Sequence, residues 1–248
     1  MSGHSKWASI KHKKAAADSK RGKLFTKVIR EITAAARAGG GDTDANPRLR
    51  TAIQTAKDAN MPADNIDRAI KRGTGEIEGV TFEEMTYEGY GPQGVAILAQ
   101  CLTDNKNRTA SEVRSIFGKG GGSMAGAGSV AWIFEKKGFI VIEDSKATEE
   151  KLMDVAVSAG AEDLQHEGKK FEVTTPVQEF ETVRAALQAA NIAVESAQLT
   201  MIPKNLVSVS VENARSVLKL IEALEEHDDV QNVYANCDIP DEVMKEME

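Results

Sequence analysis

The stretch GFIVIEDSKATEEKLMDVAVSAG, Gly138–Gly160, decides the fold. It opens with Phe139, Ile140, Val141 and Ile142, a short apolar run rich in β-branched residues between Gly138 and the acids Glu143 and Asp144. A run of that length and composition predicts a buried strand. The segment TEEKLMDVAVSAG then takes a helical period and stops at Gly160. Downstream, AEDLQHE and KKFEVTT read as two strands, PVQEFETVRAALQAAN as a helix and AVESAQLTMIP as a strand. The order β-α-β-β-α-β over residues 136–204 is that of a ferredoxin-like α+β domain.

The flanks of this domain are incomplete by themselves. On its C-terminal side stand one helix, ENARSVLKLIEALEEHDD, with Ala214, Val217, Leu218, Ile221 and Leu224 on one face, and one strand, VQNVYANCDI. On its N-terminal side Tyr87–Tyr90 and Gly94–Thr103 read as strands joined by the turn YGPQG. TASEVRSIFGKGG follows as a helix and SVAWIF as a strand. The economical solution is that residues 78–135 plus 205–248 form one discontinuous α+β domain into which residues 136–204 are inserted.

Residues 1–77 make a third, helical domain with a basic arm. KLFTKVIREITAAARAG carries Phe25, Val28, Ile29, Ile32, Ala35 and Ala36 on one face and ends at Gly39–Gly41. Asn46 reads as the cap of the next helix, with Pro47 at its first position, where a missing N–H costs nothing. A shorter helix runs from Pro62 through Ile66 and Ile70 to Gly73, and RGTGEIEGVTFEE reads as a linker. The expected fold class is therefore α+β in three domains.

Charge is divided unevenly along the chain. The protein as a whole has net charge −7. Residues 1–30 hold nine Lys or Arg and one acid, a net +8, whereas residues 78–248 hold fifteen cations and thirty acids. Such asymmetry marks an interaction arm. Its cations Lys6, Lys11, Lys13, Lys14, Lys20, Arg21, Lys23, Lys27 and Arg30 are interleaved with Trp7 and His12. Cations neutralise phosphates and release counterions, and a planar aromatic stacks on an exposed base. These eleven residues are the expected nucleic-acid contacts. The acidic body need not prevent such binding, because charge two or three Debye lengths of about 8 Å away is largely screened.

Other chemistry finds little support. The four histidines are scattered, and neither HExxH nor GxSxG occurs. No catalytic, cofactor or metal site is expected, and no small-molecule substrate is evident. GAGSVA, Gly126–Ala131, satisfies the dinucleotide spacing G-x-G-x-x-G/A, but a glycine-rich loop precedes it where a strand is required. The loop Gly118–Gly128 is expected either to approach a nucleic-acid backbone or another protein closely or to be a floppy connection. Thr109 and Glu112 read as a capping box, and the acids Glu83–Glu84 and Glu222–Asp229 as solvated. No apolar run approaches the roughly 20 residues of a membrane span. MSGHSKWASIKHKK lacks the apolar middle of a secretory signal. Cys101 and Cys237 match no CxxC or disulfide framework and read as reduced thiols. Together these predict a cytoplasmic protein with no membrane partner.

The segments GHSKWASIKHKKAAADSKRGKLFTKVIREI, GGGDTDANPRLRTAI, NMPADNIDRAIKRG, YEGYGPQGVAI, DNKNRTASEVR and DDVQNVYAN resemble the YebC family nearly end to end. The resemblance implies a helical N-terminal domain followed by two α+β domains. It implies a regulator of gene expression that binds DNA. A mitochondrial relative is a translational activator, and bacterial members are linked to ribosomes stalled on proline-rich products. The expected partner is therefore DNA or ribosomal RNA, with the ribosome as an alternative. A third reading is a protein-interaction module whose arm meets an acidic partner.

Overall fold

The computed structural model describes residues 18–240, 242 and 243, with side chains from residue 22 onward. Three helices come first: α1 (Asp18–Gly39), α2 (Pro47–Asp58) and α3 (Ala63–Thr74). Val28, Ile32, Ala35 and Ala36 of α1 close on Leu49, Ala52 and Ala56 of α2 and on Ile66 and Ala69 of α3. One side chain fastens the first connection. Asn46 Oδ1 accepts from the Leu49 amide at 3.1 Å as the α2 cap, while its Nδ2 donates to the Ala35 and Gly40 carbonyls at 2.8 and 2.9 Å. Where α3 crosses α1, a Cβ on Gly73 would lie 2.5 Å from the Thr33 carbonyl oxygen, so glycine sets the closeness of that crossing.

There follow β1 (Glu83–Tyr90), β2 (Ala96–Thr103), α4 (Lys106–Lys119) and β3 (Ser123–Ala125). Next come β4 (Phe134–Glu143), α5 (Glu149–Leu152) with a π-helical continuation over Met153–Val157, and β5 (Asp163–Glu167). Then β6 (Lys170–Thr175), α6 (Phe180–Ala189) and β7 (Ser196–Pro203) complete that run. The chain closes with β8 (Val207–Ser208), α7 (Val211–Glu225), β9 (Val230–Ala235) and β10 (Cys237–Asp238).

Trp132–Leu206 is one compact unit. Its sheet has the order β5-β6-β4-β7 with every pair antiparallel, which is the ferredoxin-like arrangement of β-α-β-β-α-β. Alternation along β4 turns Ile140 and Ile142 to the helical side, where they bury against Leu152, Ala156, Val183 and Leu187.

The other unit holds the helices α1–α3 together with residues up to Ala131 and from Val207 onward. Its four-stranded sheet, β3-β1-β2-β9, is also antiparallel. Ile97, Ala99 and Cys101 of β2 pack with Val113 and Phe117 of α4 and with Val217, Leu218 and Ile221 of α7. Segments more than a hundred residues apart thus share one core. Burial pushes the thiols of Cys101 and Cys237 up to about 12.

Several local expectations are corrected. SVAWIF is not a strand throughout: Ala131–Ile133 is a 3₁₀ turn, and β4 begins at Phe134. β1 begins at Glu83 rather than Tyr87, because β2 is long enough to pair with Glu83–Thr86 as well. α6 begins at Phe180, after a turn at Val177–Glu179. The α4 cap is Asn105, whose side chain accepts from the Arg108 amide at 3.1 Å. Thr109 lies inside that helix.

Candidate nucleic-acid interface

Helical spacing places Lys23, Lys27 and Arg30 on one face of α1, at i, i+4 and i+7. Lys23 is exposed, and its Nζ lies 3.4 Å from the Glu226 carbonyl oxygen. Lys27 Nζ donates to the Glu225 carbonyl at 2.6 Å. Arg30 donates through Nη1 to the Leu102 carbonyl at 3.1 Å and to the Asp229 carboxylate, with its guanidinium 5.3 Å from the centroid of the Phe82 ring. These three cations therefore reach the C-terminal end of α7 and the turn beyond it.

Asp229 is the centre of that turn. Its side chain is only 2% exposed and also accepts from Arg108 Nη2 at 2.9 Å and from the Thr109 hydroxyl. Burial by itself would push this carboxyl up. The hydrogen bonds from Thr109, Arg108 and Arg30 outweigh it and hold Asp229 well below the usual carboxylate range. The Asp229 amide donates to His227 Nδ1 at 3.1 Å, so Nδ1 is an acceptor and the Nε2–H of His227 donates to Glu112 at 2.8 Å. A cleft of about 680 Å³ opens beside this network, with Lys23, Arg108 and Lys119 among its cations and Glu112, Glu226 and Asp228 among its acids.

Glu112, His227 and Asp229 bring potential ligand atoms within 4.8 Å of one another. Both Asp229 oxygens, however, already face cationic or hydroxyl donors, and two guanidinium groups beside them oppose a metal ion. The trio is part of an ion-pair network.

The loop that matches the dinucleotide spacing has another occupant. The amides of Gly128, Val130 and Ala131 all donate to the buried Glu88 carboxylate, at 2.7, 2.6 and 2.8 Å. Burial opposes ionisation of Glu88, and these three backbone donors hold its carboxyl below the ordinary value. The anion in this nest is the protein's own side chain. The first part of the loop is tight rather than floppy: a Cβ on Gly122 would lie 2.4 Å from the Tyr90 carbonyl oxygen.

Of the expected contacts, Lys6, Trp7, Lys11, His12, Lys13 and Lys14 lie outside the described residues. Lys20 and Arg21 fall within α1, with side chains outside the description. Lys23, Lys27 and Arg30 are brought together at the α7 end. Sequence reasoning missed Asp229, which it placed among solvated acids. The available signal was an acidic run, Glu222–Asp229, at the end of a helix whose last turn carries no cation of its own.

The family model of the TACO1/YebC protein N-terminal domain matches residues 5–76, and that of the TACO1/YebC second and third domain matches residues 82–237. A probable transcriptional regulatory protein of Syntrophobacter fumaroxidans is 58% identical over 245 residues, covering 98% of each chain. One of Geobacter sulfurreducens is 56% identical over 248 residues, covering all of both. The crystal structure of a conserved hypothetical protein from Aquifex aeolicus superposes with a TM-score of 0.83 at 50% identity, covering 95% of this chain and 97% of that one.

Proposed function

The chain belongs to the TACO1/YebC family, and from that premise we propose that it is a non-enzymatic, cytoplasmic regulator of gene expression that grips nucleic acid with its N-terminal domain. The observation that carries this reading is the net +8 of residues 1–30 in a chain of net −7. Phosphate neutralisation supplies most of the affinity of such a surface, and Trp7 adds a stacking face. The relatives' printed name, probable transcriptional regulatory protein, favours a DNA target. No described helix is long and apolar enough to cross a membrane.

The test is fluorescence anisotropy with two labelled probes, a duplex DNA and a structured ribosomal RNA fragment, over a salt series. The preferred probe should bind with log K falling by about 0.9 per log unit of salt for each duplex phosphate neutralised. Reversing Lys11, Lys13, Lys14 and Lys23 to Glu should abolish that binding without altering the far-ultraviolet circular dichroism. Unchanged binding by the reversed variant refutes the arm. A flat salt response favours a protein partner, and exclusive binding of the RNA fragment makes the ribosome the target.

A further inference from the structure

Helix α7 ends against the electrostatic rule for helix ends. The C-terminus of a helix carries about half a negative charge from its unpaired carbonyls and is stabilised by cations. The last turn of α7 has no basic residue, and Glu222, Glu225, Glu226 and Asp228 crowd around it. The cations come instead from α1: Lys27 donates to the Glu225 carbonyl and Lys23 approaches that of Glu226. Arg30 anchors the same face on Asp229. The four-residue step from Lys23 to Lys27 rises about 6 Å along α1, close to the rise between a few successive phosphates of one strand. The α7 end therefore presents to α1 what a nucleic-acid backbone would present: a row of oxygens with excess negative charge.

We infer that this acidic helix end is an internal phosphate mimic, which competes with nucleic acid for Lys23 and Lys27 and so restrains binding. The inference rests on the nucleic-acid reading above. A backbone that takes these two lysines must release them from α7, whose last turn then keeps its acids and loses these two cations. Arg30, only 15% exposed and held by Asp229 and the Leu102 carbonyl, stays as the pivot.

Two variants of the full chain test it. Glu222→Gln, Glu225→Gln, Glu226→Gln and Asp228→Asn together remove four negative charges at the α7 end. Glu143→Gln, Glu149→Gln, Glu150→Gln and Asp154→Asn together remove the same charge from the separate unit Trp132–Leu206. With a labelled single-stranded RNA of mixed sequence and a labelled duplex as probes, the first variant should bind the preferred probe about tenfold more tightly than the wild type, because the helix-end carbonyls then hold Lys23 and Lys27 without the added pull of four carboxylates. The second should change affinity by less than about threefold, the effect of net charge alone. In the wild type, saturating probe should speed hydrogen exchange at the amides of residues 226–230, because the last turn of α7 loses Lys23 and Lys27. Equal gains in the two variants, or exchange at 226–230 that is unchanged or slowed, overturn the mimic while leaving the nucleic-acid reading in place. Failure of every variant to bind either probe overturns both.

Discussion

Replacing Asp229 by alanine should destabilise the unit that contains α1–α4 and α7 by about 3 kcal/mol. Removing one partner of a buried ion pair costs about 3–5 kcal/mol, because the other charge is stranded away from water. Arg30 would be stranded in this way: its side chain is 15% exposed and that of Asp229 only 2%. Arg108, at 41% exposed, returns to solvent and adds little. Thr109 keeps the Thr103 hydroxyl and the Asn105 carbonyl as partners. The total therefore falls at the low end of the range. Asp229→Asn retains one acceptor oxygen and should cost less, about 1–2 kcal/mol. Urea denaturation of the full chain should show a lower midpoint at unchanged slope. Amide exchange should place the loss at Leu102, whose N–H pairs with the Asp229 carbonyl at 2.8 Å, rather than in the ferredoxin-like unit. The acid limb gives an independent check. The folded-state pKa of Asp229 lies below the unfolded value of about 3.9, so its stabilisation is complete above about pH 5 and drains away as pH falls further. The difference between wild type and Asp229→Asn should shrink from pH 5 to pH 2. An alanine variant that loses less than about 1 kcal/mol, or a difference independent of pH, refutes the account of this network.

Glu88→Gln turns one of two acceptor oxygens into a donor facing backbone N–H groups, and should cost about 2 kcal/mol with faster exchange at the amides of Gly128, Val130 and Ala131. Undisturbed exchange at all three counts against the nest. Gly122→Ala forces a Cβ to within 2.4 Å of the Tyr90 carbonyl oxygen and should cost about 1–3 kcal/mol, whereas a Cβ on Gly126 meets nothing within 4 Å and Gly126→Ala should stay within about 0.5 kcal/mol. Comparable melting temperatures for the two alanine variants would show that the first half of the loop is not tightly packed.

Much of the architecture was readable from period and punctuation. Phe139–Ile142 is a strand and Val217–Leu224 a helix face because hydrophobic burial imposes the period of the backbone on the sequence. Asn46 with Pro47 announces a helix start through backbone chemistry that acts within a few residues, whereas Gly73, expected to stop the third helix, lies inside it and the left-handed cap is Gly75. Element boundaries were less legible where a partner decides them. Glu83–Thr86 has no strong strand pattern of its own and is drawn into β1 by the length of β2.

By itself the sequence determined the α+β class, the ferredoxin-like order of residues 136–204, family membership and the placement of positive charge at the front of the chain. Each is written in local period, local charge or similarity along the whole chain. Only the tertiary structure decided where the charges meet. Asp229 and Glu88 look like ordinary surface acids in the sequence, yet one is buried under Arg30, Arg108 and Thr109 and the other inside three backbone amides. Lys27 and Glu225 stand 198 residues apart and meet because α1 packs against the end of α7. The reason is range. Hydrophobic period and capping act over a few residues, whereas the partner of a charge is whatever the fold brings within about 4 Å of it.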